Sequence, residues 1–360
     1  MVKRANGRSY KKQLDGLRFI SFLAVFFYHN NPNKFWFGSY GLPLFFVLSG
    51  FLITGILLEN EGNSVPRRLF TFYVRRFLRI FPAYYLLLIV LLILGKLPFV
   101  RWNFFYLFNV KLFLLSLQNG LGPFLHHWQS SGVHFWTLCV EEQFYLLYPL
   151  ILLLTPRIWR VRLLVAFLMA SIACRMVLSR WLSASYFGVL LPVCGEYLLW
   201  GALVTYLSKK EMPARIRPSA ILYGGLAMLV LLFLRGKPDM PAGTLPFRTA
   251  NLPTLYGIGF SLLVWGLWAG EDSVLARFLS WKPIAYLGKI SYGLYLVHLF
   301  TWELGSSLAR TLPPLALLKP SLMRFLLTAA LASLSWHLYE SPINNLKKHF
   351  PYERSLRVTA

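Results

Sequence analysis

The chain has 360 residues, of which 57% are hydrophobic and only 14% charged, more apolar side chain than one water-soluble core of this size can hide. Apolar runs of about 17 to 20 residues, long enough to cross roughly 30 Å of hydrocarbon as helices, recur along the whole length, so a soluble globular domain is excluded and a multi-span membrane protein expected. The formal charge is +24, and its Lys and Arg fall between the apolar runs, which points to membrane orientation and anionic lipid and predicts no nucleic-acid partner.

In chain order, hydropathy predicts spans over 14–31, 40–59, 80–97, 135–155, 163–179, 190–207, 218–234, 253–270, 284–303 and 321–339. A shorter apolar stretch, 103–117, bounded by Lys96, Arg101 and Asn119, reads as re-entrant or interfacial. The first run follows Lys3, Arg4, Arg8, Lys11 and Lys12 but lacks a small-residue cleavage site, so it is expected to stay as an uncleaved span. With both termini cytoplasmic, the segments 1–13, 60–79, 156–162, 208–217, 271–289 and 340–360 hold 24 of the 37 basic residues, against 10 for the opposite loops with Lys96, at the end of the third predicted span, counted among them.

The expected fold is an all-α polytopic membrane helical bundle of about ten transmembrane helices. Its expected parts are a cytoplasmic N-terminus (1–13), one transmembrane domain (14–340) and a cytoplasmic tail (341–360). The chain ends about 20 residues after the last predicted span, so no appended soluble domain is expected. Cys139, Cys174 and Cys194 all lie in apolar runs, where they read as packing residues; neither a disulfide framework nor a metal site is expected from them.

Ionisable residues inside apolar runs are costly unless they face protein or water, so they mark candidate sites. Arg18 and His29 are eleven residues apart, which on a helix places them within roughly 20° of one face and about 16 Å apart. Guanidinium binds phosphate bidentately and imidazole accepts a proton near neutral pH. The pair therefore suits a donor with a phosphate-bearing end and a reactive far end, at a spacing comparable to a pantetheine arm. Read alone, the two residues are equally an orientation-setting Arg and an interfacial His.

The loop before the third predicted span places Arg76 and Arg79 three apart on one face, where they suit a nucleotide phosphate or an anionic lipid. Glu141 and Glu142, adjacent in the fourth span, cannot share a helical face, so at least one is expected to point into a wet or paired interior. His337 and Glu340 lie three apart before Pro342, which suits a helix end. His298 reads as a satisfied core histidine. Gly50 and Gly55, among bulky residues, would let a helix or a thin ligand approach the backbone closely.

Taken in order, these segments resemble the acyltransferase-3 family of integral-membrane acyltransferases from about residue 12 to residue 345. The matching motifs are Arg, ten residues, His (Arg18, His29); the Phe-Val-Leu-Ser-Gly-Phe-Leu-Ile stretch from Phe46 to Ile53; Arg-x-x-Arg (Arg76, Arg79); Trp-x-Leu-x-x-Glu-x-x-Phe-Tyr (Trp136 to Tyr145); and Ser-Tyr-Gly-x-Tyr-Leu-x-His (Ser291 to His298). Glu340 followed by Pro342 matches the close of the family's last span.

The resemblance implies transfer of an acyl group, commonly acetyl, from cytosolic acyl-coenzyme A to a hydroxyl of a surface glycan or lipid-linked saccharide such as lipopolysaccharide O-antigen or exopolysaccharide, in a bacterial inner membrane. No bound cofactor is implied; acyl-coenzyme A enters as donor substrate. Some relatives carry a C-terminal extracytoplasmic esterase-like domain and this sequence does not, so acylation at the membrane domain, or by a separate extracytoplasmic transferase partner, is expected.

On that reading the donor phosphates lie near Arg18, Arg76 and Arg79, with Ser49 and Gly50 counted to the donor site, and His29 deprotonates the acceptor or carries the acyl group. Glu141 or Glu340 orients the imidazole or neutralises the arginines. Trp136, Tyr145 and His298 complete the candidate set. A transporter or flippase is the rival from another class, but it predicts inverted repeats and none is visible. A polyprenyl-phosphate glycosyltransferase would usually need acidic residues in an outer loop, and 235–252 offers only Asp239.

Overall fold

The computed structural model describes residues 11–59, 64–118, 132–182, 186–209, 217–236, 251–311 and 320–352, and every regular element among them is helical. In chain order these are α1 (Lys12–Asn30), α2 (Gly41–Glu59), α3 (Val65–Ile93), α4 (Val100–Phe104), α5 (Phe108–Leu117), α6 (Phe135–Leu154), α7 (Arg157–Trp181), α8 (Leu191–Ser208) and α9 (Pro218–Leu234). They continue with α10 (Leu252–Ala269), α11 (Val274–Leu279), α12 (Lys282–Lys289), α13 (Ser291–Val297), α14 (Thr301–Thr311), α15 (Pro320–Ser335) and α16 (Ser341–Asn345). Among the described residues, 5 helices are long and apolar enough to cross a membrane: α2 with the turn before it, α3, α6, α7 and α10. Large apolar side chains face outward on them, as Ile89, Leu92 and Ile93 do on α3 and Leu146 and Leu154 on α6. An apolar exterior of this kind is a lipid-facing one. The chain is an all-α polytopic membrane protein.

Three predicted elements come out differently. The stretch expected as a loop before the third span is helical: α3 runs 29 residues, about 43 Å, which exceeds the ~30 Å hydrocarbon thickness. Its start is set by Pro66 in the first turn, where a missing N–H costs nothing. The 103–117 stretch is broken into α4 and α5 with Tyr106 at φ 53 between them, and ten residues of α5 reach only about 15 Å. Gln143 on α6 holds that corner by donating to the Tyr106 carbonyl at 2.8 Å and to Asn109 Oδ1 at 2.9 Å.

The third difference is the predicted span 284–303, which is divided into α12, α13 and the start of α14. Breaks at membrane depth free backbone carbonyls that need donors. Here side chains supply them: Arg79 donates to Lys289 O (3.1 Å) and Thr301 to His298 O (2.8 Å). The imidazoles of His298 and His134 lie 2.7 and 3.1 Å from the carbonyls of Tyr295 and Leu296.

Helices approach closely where glycine removes the side chain. A Cβ on Gly50 would collide with the Leu198 carbonyl and one on Gly201 with the Val47 carbonyl, which seats α2 on α8. Gly288 is held against the Asp15 backbone, which seats α1 on α12.

Candidate active site

α1, α2, α3, α6 and α13 surround a cavity of about 100 Å³ lined by Arg18, Ser49, Arg76, Arg79, Glu141, Glu142 and Tyr145, with Thr137, Tyr292 and Tyr295 at its edges. Three guanidinium groups from two helices thus meet two adjacent carboxylates in one space. Residues of five separately predicted segments are brought together.

Each arginine is held differently. Arg18 donates to Asp15 Oδ1 at 2.8 Å, one turn back on α1. Arg79 donates to Lys289 O and lies over the Trp336 ring at 5.3 Å, among the charges of Arg18, Arg76, Asp15 and Glu340. Arg76 lies over the rings of Phe72 and Tyr145, at 5.6 and 5.4 Å, and its charge acts on Glu141 and Glu142. A guanidinium seated on ring faces keeps its in-plane N–H donors for a ligand.

The carboxylates differ as well. Glu141 accepts from Ser49 Oγ at 2.6 Å, and Tyr145 donates to the same Ser49 oxygen at 3.1 Å, so α2 and α6 share a hydrogen-bonded chain. Glu142 Oε1 is buried without a hydrogen-bond partner. Adjacent positions on a helix point about 100° apart, yet both carboxylates line the cavity. Glu340 sits in the π-helical turn Trp336–Glu340 that follows α15 and accepts from Ser335 Oγ at 3.0 Å. Gly293 gives it room: a Cβ there would stand 3.1 Å from Glu340 Oε1.

His29 does not line this cavity. It lies beyond the Thr137–Tyr295 edge in a cluster of three imidazoles. His29 Nδ1 is 2.8 Å from His298 Nε2, with the rings stacked at 5.0 Å and 17°. The His134 ring stands 5.0 Å from His298 and nearly perpendicular to it. The edge and the cluster are joined, since Tyr295 OH donates to His134 O (3.0 Å), pairs with Thr137 Oγ1 (2.7 Å), and Tyr295 O meets His298 Nδ1. Among the described residues, no group of three His, Cys, Asp or Glu side chains is arranged to hold a metal ion.

Several expectations are corrected by these positions. Neither Glu141 nor Glu340 meets the His29 ring through the bonds just given; His298 does, and, 3% exposed with both ring nitrogens partnered, it is buried and satisfied as expected while also touching His29. Gly50 turns toward Leu198 and is not among the residues lining the cavity, so its visible role is to pack α2 on α8. Trp136 lies outside the cavity, edge-on to Phe46 at 6.4 Å. His337 faces Tyr286 OH at 3.2 Å, away from the cavity. Ser49, Arg76, Arg79, Glu141 and Tyr145 stand where the sequence motifs suggested, and Arg18 joins them.

Three residues escaped the sequence reading. His134 precedes a predicted span, so nothing marked it as intramembrane. Arg175 and Glu196 form a buried ion pair between α7 and α8, which Arg175 extends to Thr254 on α10 at 2.7 Å. A lone ionisable residue in each of two apolar runs was the signal for that pair.

The sequence model of the acyltransferase-3 family, described as an acyltransferase domain, matches residues 11–340. Among curated proteins, the putative peptidoglycan O-acetyltransferase YrhL of Bacillus subtilis is 30% identical over 369 residues, covering 95% of this chain and 56% of that protein. The O-acetyltransferase OatA of Staphylococcus aureus is 27% identical over 95% of this chain and 58% of its own length. The peptidoglycan O-acetyltransferase OatA of Listeria monocytogenes is 27% identical over 93% of this chain and 56% of its own. The chain spans a little over half the length of these relatives. No solved structure matches it.

Proposed function

The chain belongs to the acyltransferase-3 family, and we propose that it is a membrane-bound O-acyltransferase that moves an acyl group, acetyl first among them, from acyl-coenzyme A to a hydroxyl of a cell-surface glycan. The observation that carries this reading is the convergence of Arg18, Arg76 and Arg79 on one cavity whose far edge adjoins a histidine cluster. Phosphate needs guanidinium donors and a thioester transfer needs a base. Both are present, and α1 alone supplies one of each.

In the reaction, His29 takes the proton of the acceptor hydroxyl as its oxygen attacks the thioester carbonyl. The C–O bond forms, the C–S bond breaks, and the coenzyme A sulfur leaves with the proton returned by the imidazolium. The arginines bind the phosphates of the donor and Glu141 and Glu340 balance their charge. The cavity as it stands is smaller than the donor, so Tyr295 and Thr137 must part for the acyl end to reach His29. The names of the relatives make a cell-wall glycan, peptidoglycan, the acceptor to try before lipopolysaccharide or exopolysaccharide. The bacterial inner membrane is the compartment that gives access to both substrates.

The test is incubation of the purified protein, in nanodiscs, with radiolabelled acetyl-coenzyme A and isolated cell-wall and envelope glycans. Label is expected in ester linkage on a glycan and is lost on mild base treatment. A well-folded protein that binds the donor and leaves every glycan unlabelled, while transporting a lipid-linked saccharide, overturns the reading.

A further inference from the structure

We infer that His298 is the positioning residue that fixes the tautomer of His29 and makes Nε2, not Nδ1, the basic atom of its ring. His298 Nδ1 lies 2.7 Å from the backbone carbonyl of Tyr295, and a carbonyl oxygen has no proton to give, so His298 Nδ1 carries the hydrogen. In a neutral imidazole the other nitrogen then bears the lone pair. That nitrogen, His298 Nε2, is 2.8 Å from His29 Nδ1 and must accept, so His29 Nδ1 is the donor and carries its own hydrogen. The lone pair of His29 is left on Nε2.

The chain of bonds is anchored so that it cannot reverse without breaking. His298 is 3% exposed; Phe22 stands edge-on to its ring at 5.8 Å and His134 at 5.0 Å. The ring cannot flip without losing the Tyr295 carbonyl. That carbonyl is at a fixed place because the Tyr295 side chain is itself tied to Thr137 and His134. His134 is set by the same logic from the opposite nitrogen: its Nε2 meets the Leu296 carbonyl at 3.1 Å and so carries the hydrogen. Two neighbouring carbonyls of α13 thereby orient two imidazoles.

The inference rests on the reading of His29 as the base, and its consequence is directional. A base takes a proton through its lone pair, so the acceptor hydroxyl must approach from the Nε2 side, while Nδ1–H of the resulting imidazolium stays bonded to His298. A partner that orients a catalytic or ligating imidazole through its second nitrogen is worth about 10- to 100-fold when it is a bystander to the chemistry itself.

The experiment uses the full chain with 15N-labelled histidine and two conservative variants. Gln at 298 places an amide oxygen near the position of Nε2 and accepts from His29 Nδ1–H; Asn is too short to reach. In wild type, NMR should show His29 with a protonated Nδ1 and a lone pair on Nε2. His298→Gln should keep that signature and a near wild-type kcat, whereas His298→Asn should lose it and lower kcat about 10- to 100-fold with KM for the donor unchanged. A lone pair on His29 Nδ1 in wild type, a protonated His298, or equal kcat in the two variants would each overturn the inference. Failure of the underlying reading looks different: His29→Ala would retain transfer while the tautomer found by NMR still stood.

Discussion

At the scale of single residues, the arginines of the cavity are held by different partners, Arg79 by a backbone carbonyl and Arg76 by ring faces. Arg79 is a structural donor to Lys289 O at the break between α12 and α13, so Arg79→Ala should lower thermal stability as well as donor affinity. Arg76 rests on aromatic faces, and Arg76→Ala should leave the melting temperature near wild type while weakening acyl-coenzyme A binding about 10-fold or more, since a hydrogen bond to a charged group is worth about 1.5 to 3 kcal/mol. Calorimetric titration with the donor beside a thermal melt reads both; unchanged affinity in a stable Arg76 variant removes it from the site. These two residues were legible in sequence because a basic i,i+3 pair is a local pattern. The difference between them was not, since it depends on Lys289, 210 residues further along. The same is true of His134, which meets Leu296 across 162 residues.

At the scale of elements, the helices best read from sequence are those that run unbroken from one end of the apolar stretch to the other. The predicted span 218–234 is α9 to the residue, and 40–59 and 135–155 match α2 and α6 within one. The segment 284–303 misled because hydropathy registers side chains, while the helix is interrupted by backbone carbonyls taken by donors from α3, α14 and His134, the residue before α6. At Gly50 the sequence allowed a helix or a ligand beside the backbone, and the fold places helix α8 there. That assignment has a direct check. Gly50→Leu and Gly201→Leu each force a side chain into a backbone carbonyl across the α2–α8 contact, so both should destabilise the protein by at least the 1 to 3 kcal/mol typical of overpacking. Donor affinity per folded molecule should be unchanged. If Gly50→Leu folds at the wild-type temperature and loses only donor binding, Gly50 belongs to the site after all. Melting curves and donor titration on the same preparations decide it.

At the scale of the whole molecule, the five helices among the described residues that qualify as spans by length and composition are fewer than the ten predicted; α9 and α15 are shorter, 284–303 is broken, and two others carry charge. α1 carries Asp15 and Arg18, and α8 carries Glu196, which is fully enclosed against Arg175. Such helices sit inside a bundle, where neighbouring side chains replace the hydrocarbon, so they need not be uniformly apolar to lie in a membrane. The ten-span arrangement with both termini inside therefore stands as the expectation from charge: 24 of 37 basic residues fall in the segments assigned to the cytoplasm, among them Arg76 and Arg79. It carries a mechanistic consequence, because those arginines would then face the compartment that holds coenzyme A. Reporters fused within 208–217 and after Tyr352 should be active only as cytoplasmic markers, and one within 235–252 only as an extracytoplasmic marker. A cytoplasmic 235–252 segment would invert the second half of the bundle relative to the first. A reporter after Glu59 that reads extracytoplasmic would be graver still, since it would turn the arginine end of α3 outward and leave the proposed donor without a route to its cavity.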